Sequence, residues 1–328
     1  MIASKLIAAL KLLISIKRPT LVTGEAGVGK SRIINQVSVE SNMHFIDVRA
    51  SLFDAVDMRG IPFVENARTR WATPEFLPDE NSNEPVLILF DELNRAPLMV
   101  QNSLLQLMLD RRLGEYRLPD SVALVAAGNP ESHRGVTKMS EAFASRFIHL
   151  PLVHDVGDWS KWALANGILP ELLAFIRFRP NLLHSYDPKA TEKAYPNPRS
   201  WEFVNQIMKK NPAPEIQLDL YTGTVGSGAA GELVGFLEVF KNLPSLDGII
   251  MNPTKSKVPD ELSVLFAVAA GLSSKATETN LDRIIAYCER MPDEFAAFTV
   301  KDATARDPLL CNTSAFVKWS IDHADMMG

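Results

Sequence analysis

Eight consecutive residues constrain this chain more than any other feature: Gly24-Glu25-Ala26-Gly27-Val28-Gly29-Lys30-Ser31. They follow a short apolar run, Thr20 to Thr23, and precede a segment in which Ile33, Ile34 and Val37 fall on one side of a helix. The pattern GxxxxGK[ST] carries chemical meaning in that context, between a strand and a helix. Glycines let the backbone wrap closely enough for its N–H groups to meet phosphate oxygens, and the helix N-terminus adds partial positive charge. The reading is a cradle from Gly24 through Gly29, with Lys30 on the β and γ phosphates and Ser31 on Mg²⁺. The expected ligands are ATP or ADP with Mg²⁺.

The rest of the first half has the rhythm such a loop requires. Phe45 to Val48 and the strongly apolar Val86 to Phe90 read as buried parallel strands, and Val122 to Ala126 and Phe147 to Leu150 supply two more. Strands alternating with helices predict an α/β fold with a doubly wound parallel sheet. After Pro151 the β signal fades. Trp159–Ala165, Leu169–Phe178, Ser200–Lys209, Gly231–Lys241 and Leu262–Leu272 all carry helical spacing, divided by proline-rich breaks at residues 195–198, 211–214 and 253–259. The stretch from Tyr221 to Gly328 is helical and without a chemical constellation.

Two further strand ends belong to the same edge of the sheet. Val86–Phe90 runs into Asp91-Glu92, adjacent carboxylates at the C-terminal end of a buried strand, where ligands of open α/β sheets sit. Asp91 is expected to hold Mg²⁺ through its water shell, and Glu92 to orient and polarise the attacking water. Val122–Ala127 runs into Gly128-Asn129-Pro130, which brings the Asn129 amide to that edge to position the water.

Composition sets bounds on the rest. A chain of 328 residues exceeds what one core usually serves, and 46% hydrophobic with 22% charged residues is ordinary globular usage. A net charge of -5 makes nucleic acid an unlikely default partner. Cys288 and Cys311 lack CxxC spacing, so neither a disulfide framework nor a zinc site is indicated, and a reducing cytoplasm suits the chain. His44, His133, His149, His154, His184 and His323 are scattered without metal-ligand spacing and read as structural or exposed. Met1 to Ile16 reads as an amphipathic helix rather than a signal peptide, because Lys5 and Lys11 interrupt it. No stretch has the roughly 20 uninterrupted apolar residues of a membrane span. Met326 and Met327 read as a loose terminus.

GEAGVGKS, LILFDE and AAGNP, in this order over about the first 150 residues, resemble Walker A, Walker B and sensor 1 of the AAA+ superfamily. The resemblance implies a five-stranded P-loop core, residues 1–154, followed at 155–328 by a mostly α-helical lid and a C-terminal helical extension. It implies a ring in which nucleotide lies between protomers. Ser145-Arg146-Phe147 looks like the arginine finger a neighbour supplies, and Arg199, in Pro198-Arg199-Ser200, looks like the sensor 2 arginine of the lid. Arg111 and Arg112, ahead of Leu113, could also face the neighbouring protomer, and by default they read as salt-bridge residues.

Two insertions resemble the MoxR group. One, about residues 57–78, runs from Met58-Arg59-Gly60-Ile61-Pro62 to Trp71-Ala72-Thr73-Pro74-Glu75-Phe76-Leu77-Pro78 and resembles the helix-2 insert, with Thr73-Pro74 where a Gly-Pro pair is common. The other, about 111–122, with Gly114 and Pro119, resembles the pre-sensor-1 hairpin. In relatives both project toward an axial pore, where Phe63 and Trp71 are candidates to grip a polypeptide, local packing being the alternative. The resemblance implies an ATP hydrolase, a hexameric ring that remodels a protein in chaperone fashion, with a von Willebrand factor A domain protein as the implied partner. A DNA-directed AAA+ motor or loader and a monomeric P-loop phosphotransferase are the competing readings. The first predicts salt-dependent DNA binding; the second predicts activity without Arg146.

Overall fold

The computed structural model describes residues 1–130, 139–187 and 189–326. His133 and Met327, both assigned above from sequence, lie outside the described residues. The chain divides into two compact units, one from Met1 to Asp155 and one from Val156 onward.

The first unit is built on a five-stranded sheet of β1 (Thr20–Thr23), β2 (His44–Arg49), β5 (Val86–Asp91), β8 (Val122–Gly128) and β9 (Ile148–Pro151), in the order β2-β5-β8-β1-β9. All neighbours are parallel, with Val48 opposite Phe90, Ile88 opposite Leu124, and Leu21 opposite both Ala126 and His149. The centre of the sheet consists of continuous apolar runs because both its faces are covered. Alternation along β5 divides the core in two. Ile88 and Phe90 face α4 (Leu98–Asp110) through Val100, Leu104 and Leu107. Leu87 and Leu89 face α1 (Ala3–Ser15) and α2 (Lys30–Glu40) through Leu6, Leu10, Ile34 and Val37. A side chain such as Leu104, fully buried here, removes apolar surface worth about 1.5–3 kcal/mol.

The first insertion opens with α3 (Ala55–Arg59), started by a capping box in which Asp54 and Asp57 satisfy each other's backbone N–H groups. Gly60 ends it at φ +84°, and β3 (Pro62–Glu65) then pairs antiparallel with β4 (Arg68–Trp71) around a turn in which Asn66 and Ala67 both have positive φ. Phe63 and Trp71 are about half exposed, and the Arg59 guanidinium lies over the Trp71 ring at 5.2 Å. The second insertion is a tight hairpin of β6 (Arg112–Leu113) and β7 (Tyr116–Arg117). Arg70 of β4 reaches Glu115 at its tip, an exposed contact worth little by itself.

Arg111 departs from its reading as a salt-bridge residue. It closes α4 in the left-handed region at φ 54°, and its guanidinium donates to the Pro119 carbonyl at 2.6 Å and the Val122 carbonyl at 2.7 Å. Burial lowers its pKa below the usual arginine value. Arg112 pairs with no carboxylate among the described residues. The short helix α5 (Glu141–Ala144) starts after Ser140, whose hydroxyl accepts from the Phe143 N–H.

Among the described residues of the second unit the regular elements are all helices, the α-helices being α6 (Val156–Ala165), α7 (Pro170–Phe178), α8 (Pro198–Lys209), α9 (Pro214–Val225), α10 (Ser227–Lys241), α11 (Leu246–Met251), α12 (Leu262–Lys275), α13 (Leu281–Cys288), α14 (Asp293–Arg306) and α15 (Ser314–Asp322). Its first core gathers Phe175, Trp201, Tyr221, Leu233 and Phe236, and a second gathers Val268, Ile284, Tyr287 and Phe295. No helix among the described residues is long and apolar enough to cross a membrane.

Candidate functional site

The C-terminal ends of β1, β5 and β8 bring the loop of residues 24–31, Asp91, Glu92 and Asn129 to one edge of the sheet. The turn after β1 uses Gly27 at φ 78° and Gly29 at φ 101°, a region open to glycine at little cost, and Gly29 is the N-cap of α2. Gly24 has no room for a side chain, since a Cβ there would stand 2.8 Å from the Leu152 carbonyl oxygen. The loop therefore lies flush against the segment that follows β9.

Lys30, the first residue of α2, is only 9% exposed. Its ammonium donates to the carbonyls of Gly24 at 2.8 Å and Glu25 at 3.0 Å, and to Oδ1 of Asn129 at 3.0 Å. These oxygens hold the ammonium at the mouth of the loop, where a phosphate oxygen would be a strong acceptor for it. Beside it, the Ser31 hydroxyl donates to Oδ2 of Asp91. Hydroxyl and carboxylate oxygens are the hard donors that Mg²⁺ takes alongside phosphate and water, so the donor set fits that ion. Among the described residues no group of three or more His, Cys, Asp and Glu side chains forms an all-protein metal cage.

Asp91 ends β5 and accepts from the N–H of Glu92 through its other oxygen at 2.8 Å. Glu92 itself sits in the left-handed region at φ 54°, ψ 31°, which costs a non-glycine residue roughly 1–2 kcal/mol. The strained turn lifts its carboxylate off the line of the strand. Oε2 of that carboxylate accepts a 2.7 Å bond from Ser51, and Oε1 lies 3.9 Å from the Arg95 guanidinium. Asp47 on the neighbouring strand β2 has its pKa raised, first by burial and then by the charge of Asp91.

Ser51, Asn94 and Arg95 were not singled out in the sequence. Ser51 and Asn94 are recognisable only from their partners, 41 and 35 residues distant. Arg146 lies in the turn between α5 and β9, partly buried, with its guanidinium 3.3 Å from the Ser145 hydroxyl. Arg199 is the second residue of α8, in the other unit, where Asn197 and Ser200 form a capping box.

Residues 19–147 match a family described as the AAA domain, dynein-related subfamily. Chaperone MoxR1 of Mycobacterium tuberculosis is 37% identical over 65 residues, which are 19% of this chain and 17% of that protein. Midasin of Giardia intestinalis is 26% identical over 159 residues, which are 46% of this chain and 3% of that protein. The chain thus spans less than a fifth of the length of either curated relative. Among solved structures, NtrX from Brucella abortus in complex with ADP superposes with a TM-score of 0.42 at 13% identity, over 99% of this chain and 68% of that one. The family match covers the glycine-rich loop, both carboxylates, Asn129 and four of the five strands of the sheet, β9 lying beyond it, so that over residues 19–147 the chain is similar to AAA domains.

Proposed function

We propose that the chain hydrolyses ATP with Mg²⁺ at the edge formed by β1, β5 and β8. The observation that carries this reading is the joint placement of Lys30 and Asn129 on one side and Ser31 and Asp91 on the other, across a loop with glycine geometry. Backbone N–H groups of residues 24–29 and the N-terminus of α2 bind the phosphates. Ser31, and Asp91 by way of water, would hold Mg²⁺, which would supply positive charge against that developing on the transferred phosphoryl group. Lys30 moves its donors from the loop carbonyls to phosphate oxygens. Glu92 takes a hydrogen bond from the attacking water and turns a lone pair toward the phosphorus; Asn129 fixes that water from the other side.

Arg146 completes the site of an adjacent copy in a ring, expected to be a hexamer, and Arg199 completes its own from the lid. An always-charged planar guanidinium meets phosphate oxygens in two directions, which suits both positions. Hydrolysis between protomers then moves the helical unit and the two hairpins, whose half-exposed Phe63 and Trp71 are candidates to hold a polypeptide. The load is a partner protein, with a von Willebrand factor A domain as the proposed chemistry of the partner, and the place of action is the cytoplasm. The likeness to a protein named a chaperone supports this reading.

The test is ATP hydrolysis by Glu92→Gln alone, Arg146→Ala alone, and the two mixed under conditions of subunit exchange. Recovery only in the mixture places Arg146 in a neighbour's site. Full activity of Arg146→Ala alone rejects that placement and favours a monomeric phosphotransferase. Stimulation of hydrolysis by DNA in a salt-dependent manner would move the load from protein to nucleic acid.

A further inference from the structure

Asn94 is 2% exposed and sits in the single helical turn Leu93–Arg95 that follows Glu92. Its two side-chain groups are both committed to one residue. Nδ2 donates to the Asn129 carbonyl at 2.5 Å, and Oδ1 accepts from the Asn129 N–H at 3.2 Å. The regular pairing of β5 with β8 ends at Phe90 and Ala126, because β5 turns away at Asp91-Glu92. Beyond that point the carboxamide of Asn94 serves Asn129 as a neighbouring strand would, one donor and one acceptor side by side. The approach is so close that a Cβ on Gly128 would stand 2.8 Å from Asn94 Oδ1. From the peptide held in this way, the Asn129 side chain projects to accept from Lys30 at 3.0 Å.

We infer that Asn94 is a positioning residue: it clamps the Asn129 peptide, so that the Asn129 amide and the Asp91-Glu92 carboxylates form one rigid unit facing Lys30. The inference rests on the hydrolytic reading of the site and names what aligns its two halves. Asn94 has no direct part in the chemistry. A shift of the Asn129 amide by about 1 Å would misplace both the Lys30 ammonium and the attacking water, and geometric errors of that size are costly in phosphoryl transfer.

The experiment is a double-mutant cycle on the full chain with Asn94→Ala and Asn129→Ala, and with Asn94→Asp as a second variant of nearly unchanged shape. Read out are kcat and KM for ATP, the affinities for Mg·ADP and Mg·ATPγS, and the melting temperature. Each Asn94 variant is expected to lower kcat about tenfold or more while ADP affinity stays within about threefold, and to cause no further loss on the Asn129→Ala background. Effects that multiply independently would overturn the inference. So would wild-type kcat in Asn94→Ala, or loss of melting temperature and ADP binding together in both Asn94 variants, which would make Asn94 a structural residue only. If the wild-type chain binds ADP but does not hydrolyse ATP, the hydrolytic reading fails by itself. The clamp is then judged from the ATPγS-to-ADP affinity ratio, which Asn94→Ala must lower in the same non-additive way.

Discussion

The hydroxyl of Ser51, in the turn after β2, donates a 2.7 Å hydrogen bond to Oε2 of Glu92, the residue immediately after β5. One acceptor site of the carboxylate that is proposed to take the water's hydrogen bond is thus held by a neighbouring turn. A hydrogen bond to a charged group is worth about 1.5–3 kcal/mol, and it weakens the carboxylate as an acceptor for a second donor. Ser51→Ala is expected to raise basal ATP hydrolysis by about fivefold with unchanged ADP affinity, the rate equivalent of about 1 kcal/mol. A tenfold fall in kcat would instead mean that the bond holds Glu92 in its working position.

The two cysteines have opposite surroundings. Cys288 is fully buried in α13 and burial pushes its thiol up to about 12, whereas Cys311 is exposed. A thiol-selective reagent at neutral pH is expected to label Cys311 within seconds to minutes and Cys288 only after unfolding, a difference that Cys311→Ser isolates. The raised value means that the folded state favours the neutral thiol. Its contribution to stability is intact below the ordinary value of 9.0 and is lost as pH climbs from there toward about 12.

Gly60 separates α3 from the β3–β4 hairpin at φ +84°, and a Cβ there would lie 1.7 Å from the Ala72 carbonyl oxygen. Gly60→Ala is expected to loosen the hairpin by about 1–3 kcal/mol. Faster proteolysis within residues 60–74 and altered Trp71 fluorescence, at unchanged ADP affinity, would register it.

In the helical unit the Arg177 guanidinium grips Asp302 with two bonds, 2.5 and 2.9 Å long, and lies 4.2 Å from the centre of the Phe298 ring. The side chains are 17% and 5% exposed, so solvent screens them poorly. Asp302→Ala leaves an uncompensated buried cation and is expected to cost about 3–5 kcal/mol in chemical denaturation. A loss below about 1 kcal/mol would show that Arg177 finds water or another acceptor.

The sheet was legible in the sequence because strands covered on both faces become continuous apolar runs, as Val86–Phe90 and Val122–Ala126 are, and because the glycine-rich loop has few alternative conformations. The cradle, the paired carboxylates and Asn129 followed from the order of strand ends. Ser51 and Asn94 were not legible: each is an ordinary turn residue until the sheet brings its partner alongside. Arg111 was misread because a charged side chain suggests an ion pair, whereas the fold lays the carbonyls of Pro119 and Val122 beside its guanidinium, a proximity that local sequence does not announce. Pro198 and Pro214, read as parts of breaks, are the first residues of α8 and α9, where a missing N–H costs nothing.

The guanidinium of Arg111 bolts the base of the β6–β7 hairpin to the start of β8, through Pro119 and Val122. The hairpin is thereby a crank mounted on a strand. β8 in turn runs without interruption from Val122 to Gly128, the residue before Asn129. One inner strand, paired on both sides, is thus the shared footing of the hairpin's base and of the amide that faces Lys30.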